Sequence, residues 1–196
     1  IIPEENKIIG YTTRNSGGVP ENFKNYFVVQ FDKKVKFIST WKNTSLSSSK
    51  ELTDNHVGAI VGFSTRRGEV VQAKVASSFI SFEQAERNLN ELSGKTFDQV
   101  KADGRNKWNE TFGAVDIKAN VDQMRTFYSA LYRSTLFPRM FYEFDASGKP
   151  IHYSPYNGKV LPGYMFTDNG FWDTFRAQFP LLNLLYPSLN VKIQEG

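Results

Sequence analysis

The chain has no cysteine. Disulfide scaffolds, thiol nucleophiles and thiolate-held structural zinc are therefore excluded. It has two histidines, His56 and His152, too few for a multi-histidine metal centre. No run of 18 apolar residues occurs, so no segment reads as a membrane-spanning helix. No run of five like charges occurs either. The net charge of +4 comes from 24 basic and 20 acidic residues scattered along the chain, and that pattern carries no nucleic-acid footprint. A phosphate-cradling glycine loop, an EF-hand loop and a serine nucleophile elbow are all missing. No signal peptide opens the chain, and Ile1-Ile2-Pro3-Glu4 reads as the interior of something longer.

What is plentiful is aromatic surface: 17 Phe, 9 Tyr and 3 Trp in 196 residues. Such a surplus serves a large core, and it equally serves proteins that grip flat, amphipathic ligands such as sugars. The length suits one domain or two small ones.

Two halves differ in hydrophobic period. Lys7–Thr13, Asn25–Phe31, Val35–Thr40, Gly58–Ser64 and Glu69–Ile80 are rich in β-branched and aromatic residues. Asp32-Lys33-Lys34 and Arg66-Arg67-Gly68 read as turns, and Asn43–Asn55 as a polar, serine-rich loop. Strands this close together without intervening helices imply an antiparallel sheet or sandwich. The strand count is low for a closed sandwich, so earlier strands are expected.

After Ser81 the period becomes helical. Ser81/Gln84 and Thr96/Gln99 match capping boxes, and Asn120 opens a third helical stripe that ends before Pro138. Phe82, Ala85, Leu89 and Leu92 share the first apolar face. Trp108 and Phe112 lie on the second stripe, where a core role is expected. The stretch 139–170 is long and irregular, but its aromatic content argues against disorder. Within it Asp145 reads as a turn residue and Asp168 as a turn or cap. Tyr153, Tyr156 and Tyr164 read as loop packing, with contact to a sugar as the lesser reading. Glu143 has no assigned role. Trp41 closes a strand beside the polar loop and is a lesser candidate for ligand contact. Asn43 and Asn109 head short glycosylation sequons.

The most informative stretch is GFWDTFRAQFPLLNLLYP, Gly170–Pro187. Two readings of it stand. In one, Phe171, Trp172, Phe175, Phe179 and Leu182 form a core stripe, and Asp173 is an N-terminal helix acid paired with Arg176. In the other, Trp172 stacks on the C–H face of a pyranose and Asp173 accepts hydrogen bonds from its hydroxyls. Arg176, one turn away, then keeps the carboxylate ionised and oriented. Pro180 either breaks the helix or starts a second one.

Five stretches in this order and at this spacing carry a resemblance: YFVVQFDKKVKFISTW, GEVVQAKVASSFISFEQAERNL, KWNETFGAV, FYSALYRSTLFPRMFYEFD and FWDTFRAQFPLLNLLYP. Together they resemble the calcium-dependent, inverting exo-α-mannosidases of glycoside hydrolase family 92. The resemblance implies an α+β architecture. Residues 1–81 would be the C-terminal part of an antiparallel β-sandwich and 82–115 linker helices. Residues 116–196 would be the first helical hairpin of an (α/α)6 barrel. It implies Trp172, Asp173 and Arg176 as substrate-binding residues. The general acid, the general base and most calcium ligands are expected after Gly196, so no catalytic or metal residue is assigned within the chain. It implies mannose-containing glycans as partners, and a periplasmic or extracellular location in a bacterium. A non-catalytic carbohydrate-binding or structural module of the same ancestry is the alternative. An incomplete barrel is also expected to leave apolar helix faces uncovered.

Overall fold

The structure is a computed structural model that describes residues 1–196. The chain forms two compact units. One comprises residues 1–93 with 155–158, the other 94–154 with 159–196.

The first unit contains β1 (Lys7–Thr12), β2 (Asn25–Phe31), β3 (Phe37–Lys42), β4 (Ser45–Ser47), β5 (Val57–Gly62), β6 (Ala73–Ser78) and α1 (Phe82–Leu89). The strands make two three-stranded antiparallel sheets, ordered β1-β2-β6 and β4-β3-β5. The continuous apolar run Asn25–Phe31 becomes the central strand of its sheet, and Val28 in it is fully buried. The long run Glu69–Ile80 yields a strand only over Ala73–Ser78, because Glu69 closes a turn onto Arg66 O.

Strand β4 lies inside the stretch read from sequence as a polar loop. A two-residue turn, Asn43-Thr44, joins it to β3, with Asn43 at a positive φ of 52°. Asn tolerates that conformation well, which suits it to a tight hairpin. Trp41 stands across from Gly58 on β5, and a Cβ at Gly58 would collide with the indole.

Helix α1 starts where Ser81 Oγ accepts from the Gln84 N–H. Its Ala85 is fully buried, and Phe82 meets Tyr26 of β2 edge-to-face at 4.9 Å. Lys7 bridges Glu5 and Glu86 at the rim. Exposed ion pairs contribute at most about 1 kcal/mol each. Burial of Val28, Val35 and Ala85 therefore does more than these pairs to hold the unit together.

The second unit holds α2 (Phe97–Phe112), α3 (Val121–Ser134), β7 (Arg139–Met140), β8 (Glu143–Phe144), β9 (Pro150–Tyr153), β10 (Val160–Pro162), β11 (Phe166–Thr167), α4 (Phe171–Thr174), α5 (Gln178–Leu185) and α6 (Pro187–Glu195). Full capping boxes open α2 at Thr96 and α3 at Asn120. Helix α3 stops at Ser134, a turn earlier than its apolar stripe, with Thr135 as its C-cap.

Trp108 stacks on Phe112 one turn on and meets Tyr132 of α3 at 4.8 Å. It is nonetheless 37% exposed, and no residue of α2 is buried. The expected core role of Trp108 is thus only half realised within these residues.

The stretch 139–170 has short strands on either side of the Asp145 turn. β8, β9 and β10 form one small antiparallel sheet, and β7 pairs with β11. Asp145 is the turn residue expected. Its carboxylate accepts from the N–H groups of Lys149 and Ser147 and from the Ser147 hydroxyl. These bonds, the one from Lys149 first, hold its pKa below the ordinary carboxylate value.

The helical stretch after Gly170, expected to break or restart at Pro180, is three helices. Pro180 sits in the first turn of α5, where its missing N–H costs nothing. Pro187 opens α6 and keeps Tyr186 out of the helical region, at φ −135° and ψ 58°. The Tyr186 hydroxyl donates to Thr111 O, tying this junction to the end of α2. Leu182 on α5 is 1% exposed and is the deepest aliphatic side chain of the unit.

Large apolar side chains stay uncovered: Phe171 71%, Trp172 74% and Leu184 77% exposed, with Val121, Tyr132 and Phe137 also open. Surfaces of this kind drive association. Residues 1–196 expressed alone are expected to self-associate; a monodisperse monomer by light scattering would contradict this.

Candidate functional site

The site is built on the shortest helix. Gly170 leads into α4, a single turn that carries Phe171, Trp172, Asp173 and Thr174. The Asp173 N–H and the Thr174 hydroxyl both donate to Gly170 O, at 3.0 Å each. Thr174 is buried and points inward, so its neighbours Trp172 and Asp173 are turned outward to solvent. A one-turn helix has little stability of its own. Its place is set by what holds its ends.

Upstream, Thr167 of β11 pairs with Arg139 of β7, and Arg139 makes an ion pair with Asp168. Asp168 sits at a positive φ of 63°, which turns the chain from strand into helix. Asp168 is thus the turn residue expected from sequence, with a salt bridge that the sequence did not announce. Asn169 follows, and its side-chain Nδ2 is buried without a hydrogen-bond partner. Downstream, Gln178 at the start of α5 donates to Ser134 O at 2.9 Å and Phe137 O at 2.5 Å.

The three residues expected to bind substrate come together on this turn, but not in the expected pairing. Arg176 makes no ion pair with Asp173. Its guanidinium lies 5.0 Å from the Phe175 ring centre and 5.7 Å from that of Trp172, within cation–π range. Phe175 keeps helical angles and the chain leaves the helix only at Ala177, so the guanidinium's place over two aromatic rings is a side-chain arrangement. The Asp173 carboxylate is exposed and takes no partner from the chain. Phe171 stacks on Phe175 at 5.6 Å, so the turn presents a flat, largely apolar wall with one free carboxylate.

The other candidates fall elsewhere. Tyr153 is buried, and burial pushes its hydroxyl pKa up. Tyr164 packs in an edge-to-face cluster around Tyr142, with Lys192 over its ring. Tyr156 is 88% exposed in the first unit, as is the Asn43 hairpin tip. Glu143 lies half-buried on β8 across from Ile151. No three His, Asp or Glu side chains converge in the structure. Sequence reasoning missed Gln178, Asn169 and the Arg139–Asp168 pair; none belongs to a recognisable pattern, and only tertiary contact reveals them.

The chain is thus a mixed one of small antiparallel sheets and short helices, with an aromatic, acid-bearing turn leading toward α5. Comparison with known proteins makes the class definite. Residues 1–78 match the glycosyl hydrolase family 92 N-terminal domain, and residues 84–196 match the glycosyl hydrolase family 92 catalytic domain. The chain belongs to glycosyl hydrolase family 92.

The structure is similar to a family 92 inverting mannosidase of Bacteroides thetaiotaomicron, with 44% identity and a TM-score of 0.93 over 98% of this chain and 27% of that one. It is also similar to a family 92 α-mannosidase of the same organism solved in complex with mannoimidazole. There the identity is 26% and the TM-score 0.74, over 91% of this chain and 24% of that one. A curated protein of Arthroderma benhamiae, described as an uncharacterized secreted glycosidase, is 37% identical over 75 residues. That match covers 35% of this chain and 10% of the fungal protein. The chain therefore spans about a quarter of the length of the solved mannosidases it matches. No helix is long and apolar enough to cross a membrane.

Proposed function

We propose that this chain is a segment of an inverting, calcium-dependent exo-α-mannosidase that removes terminal α-mannose from glycans. Its part is one wall of the sugar site. The observation that carries this is the pairing of an exposed indole, Trp172, with an adjacent exposed carboxylate free of protein partners, Asp173, on a turn held at both ends. Asp173 accepts hydrogen bonds from two sugar hydroxyls, and Trp172 covers the apolar ring face. Arg176 braces Trp172 by lying over its ring.

Inversion needs an acid and a base about 6.5–9.5 Å apart, one protonating the leaving oxygen and one activating water. In this proposal both belong to the remainder of the longer parent protein, as do most calcium ligands. Calcium, when bound, supplies positive charge to oxygen ligands that include sugar hydroxyls. Residues 1–81 are read as the end of a β-sandwich, 82–115 as linker helices and 116–196 as the first hairpin of an (α/α)6 barrel. The meeting of the two family matches between residues 78 and 84 supports a boundary there. Export from the cell, into a bacterial periplasm or beyond, fits a relative described as secreted.

The test is mannose release from α-mannobiosides. The full-length parent is expected to release mannose with calcium and to lose activity with a chelator, and residues 1–196 alone are expected to release none. Release by the isolated chain would refute the missing acid–base pair. No release by the parent from any α-mannoside in calcium would favour a non-catalytic carbohydrate-binding or structural module.

A further inference from the structure

We infer that Gln178 is a positioning residue for the Trp172–Asp173 wall, an assignment that rests on the reading of that wall as a sugar site. Helix ends leave their last carbonyls without intrahelical partners. At the end of α3, Leu131 O and Tyr132 O accept from the Thr135 N–H, and Arg133 O accepts from the Leu136 N–H. Ser134 O is taken instead by the Gln178 amide, which also reaches Phe137 O.

That amide stands two residues beyond Arg176, at the first position of α5. Between α4 and α5 the chain passes Ala177 at φ −135° and ψ −53°, outside any regular helix. Nothing in the local backbone therefore transmits the orientation of α5 to α4 as a continuous helix would. The tie from Gln178 supplies the missing constraint.

The same short segment also grips the other flank. Arg139 pairs with Thr167 in the β7–β11 ladder and makes the ion pair with Asp168. Residues 134–139 thus form a bracket. Ser134 O and Phe137 O hold the chain after the turn, and Arg139 holds the chain before it. Trp172 and Asp173 lie between the two grips. The upstream grip has a backbone ladder as well as a side chain, so Arg139 is partly redundant. Apart from the apolar packing of Phe171 on Phe179 and of Leu182, the downstream grip rests on one side-chain amide, so among the polar ties Gln178 is where the wall is most easily loosened. A displacement of about 1 Å in binding contacts costs on the order of 100-fold in rate.

The test uses the full-length parent with Gln178→Met, Gln178→Lys and Gln178→Glu, and with Asp173→Ala as reference. The readouts are kcat and KM on an α-mannobioside and Kd for mannoimidazole by calorimetry. Gln178→Met keeps the length and removes the donors. It is expected to lower kcat/KM by about 10- to 100-fold and to raise Kd in parallel, with the purified protein still folded by circular dichroism. Gln178→Lys keeps donors and is expected to recover most of the loss. Gln178→Glu, which sets a carboxylate against two carbonyls, is expected to recover none.

Wild-type kcat/KM and Kd in Gln178→Met, beside a collapse of both in Asp173→Ala, would overturn the role of Gln178 alone. Wild-type values in Asp173→Ala would remove the sugar-site reading and this inference with it. Should Gln178→Met fail to fold, the Lys and Glu variants decide: equal kcat/KM in the two would overturn the proposal.

Discussion

Asp173→Ala in the full-length parent is expected to lower kcat/KM for α-mannosides by about 1,000-fold. A carboxylate that accepts from two sugar hydroxyls makes two charged hydrogen bonds, each contributing about 1.5–3 kcal/mol. Each 1.36 kcal/mol is tenfold in rate, so their joint loss spans about 160- to 25,000-fold. Asp173 is exposed and has no protein partner that would absorb the change, so the full loss falls on the sugar contacts. Asp173→Asn keeps the acceptor oxygen and loses the charge, so its loss is expected to be smaller by roughly tenfold. Steady-state kinetics on both variants check this. Activity of Asp173→Ala within about twofold of wild type would place the carboxylate outside the sugar site.

The second large effect concerns stability. Leu182 is 1% exposed on α5, in the unit that carries the turn. Truncating a buried leucine to alanine removes transfer free energy and leaves a cavity, together about 2–5 kcal/mol. Leu182→Ala is expected to lower the thermal midpoint of the parent's helical region by several degrees, while Leu182→Met, which conserves volume, costs less than about 1.5 kcal/mol. Differential scanning calorimetry of the two variants separates them. Equal midpoints would mean that α5 is not seated in the core as described. Because Gln178 heads the same helix, loosening α5 is also expected to weaken sugar binding.

Much of the fold was legible in the sequence where the cause is local. Asn25–Phe31 became a strand with the same ends, because a run apolar on both faces suits a central strand. Thr96 and Asn120 opened helices with full capping boxes, because those signals depend on side chains three residues apart. Asp145 turned the chain for the same reason, since its partners lie within four residues. The split of Gly170–Pro187 was half legible. Pro180 gave warning, but the break after Thr174 has no proline and follows from Ala177 leaving the helical region.

At the candidate site the sequence by itself singled out the residues proposed to meet the sugar: an indole, a carboxylate and a guanidinium within five positions. It also determined family membership, because five motifs in order are specific in a way that no single strand is. Only the tertiary structure decided how those residues stand. It turned Trp172 and Asp173 outward by burying Thr174, and it sent Arg176 to two aromatic faces and away from the carboxylate. It also joined residues 134–139 to both flanks of the turn, across as many as 44 positions. The physical reason is range. Caps, turns and hydrophobic periods act over three or four residues and leave a pattern in the sequence. A glutamine that satisfies a carbonyl 44 positions away leaves no pattern, because any chain path that brings the two together serves equally well.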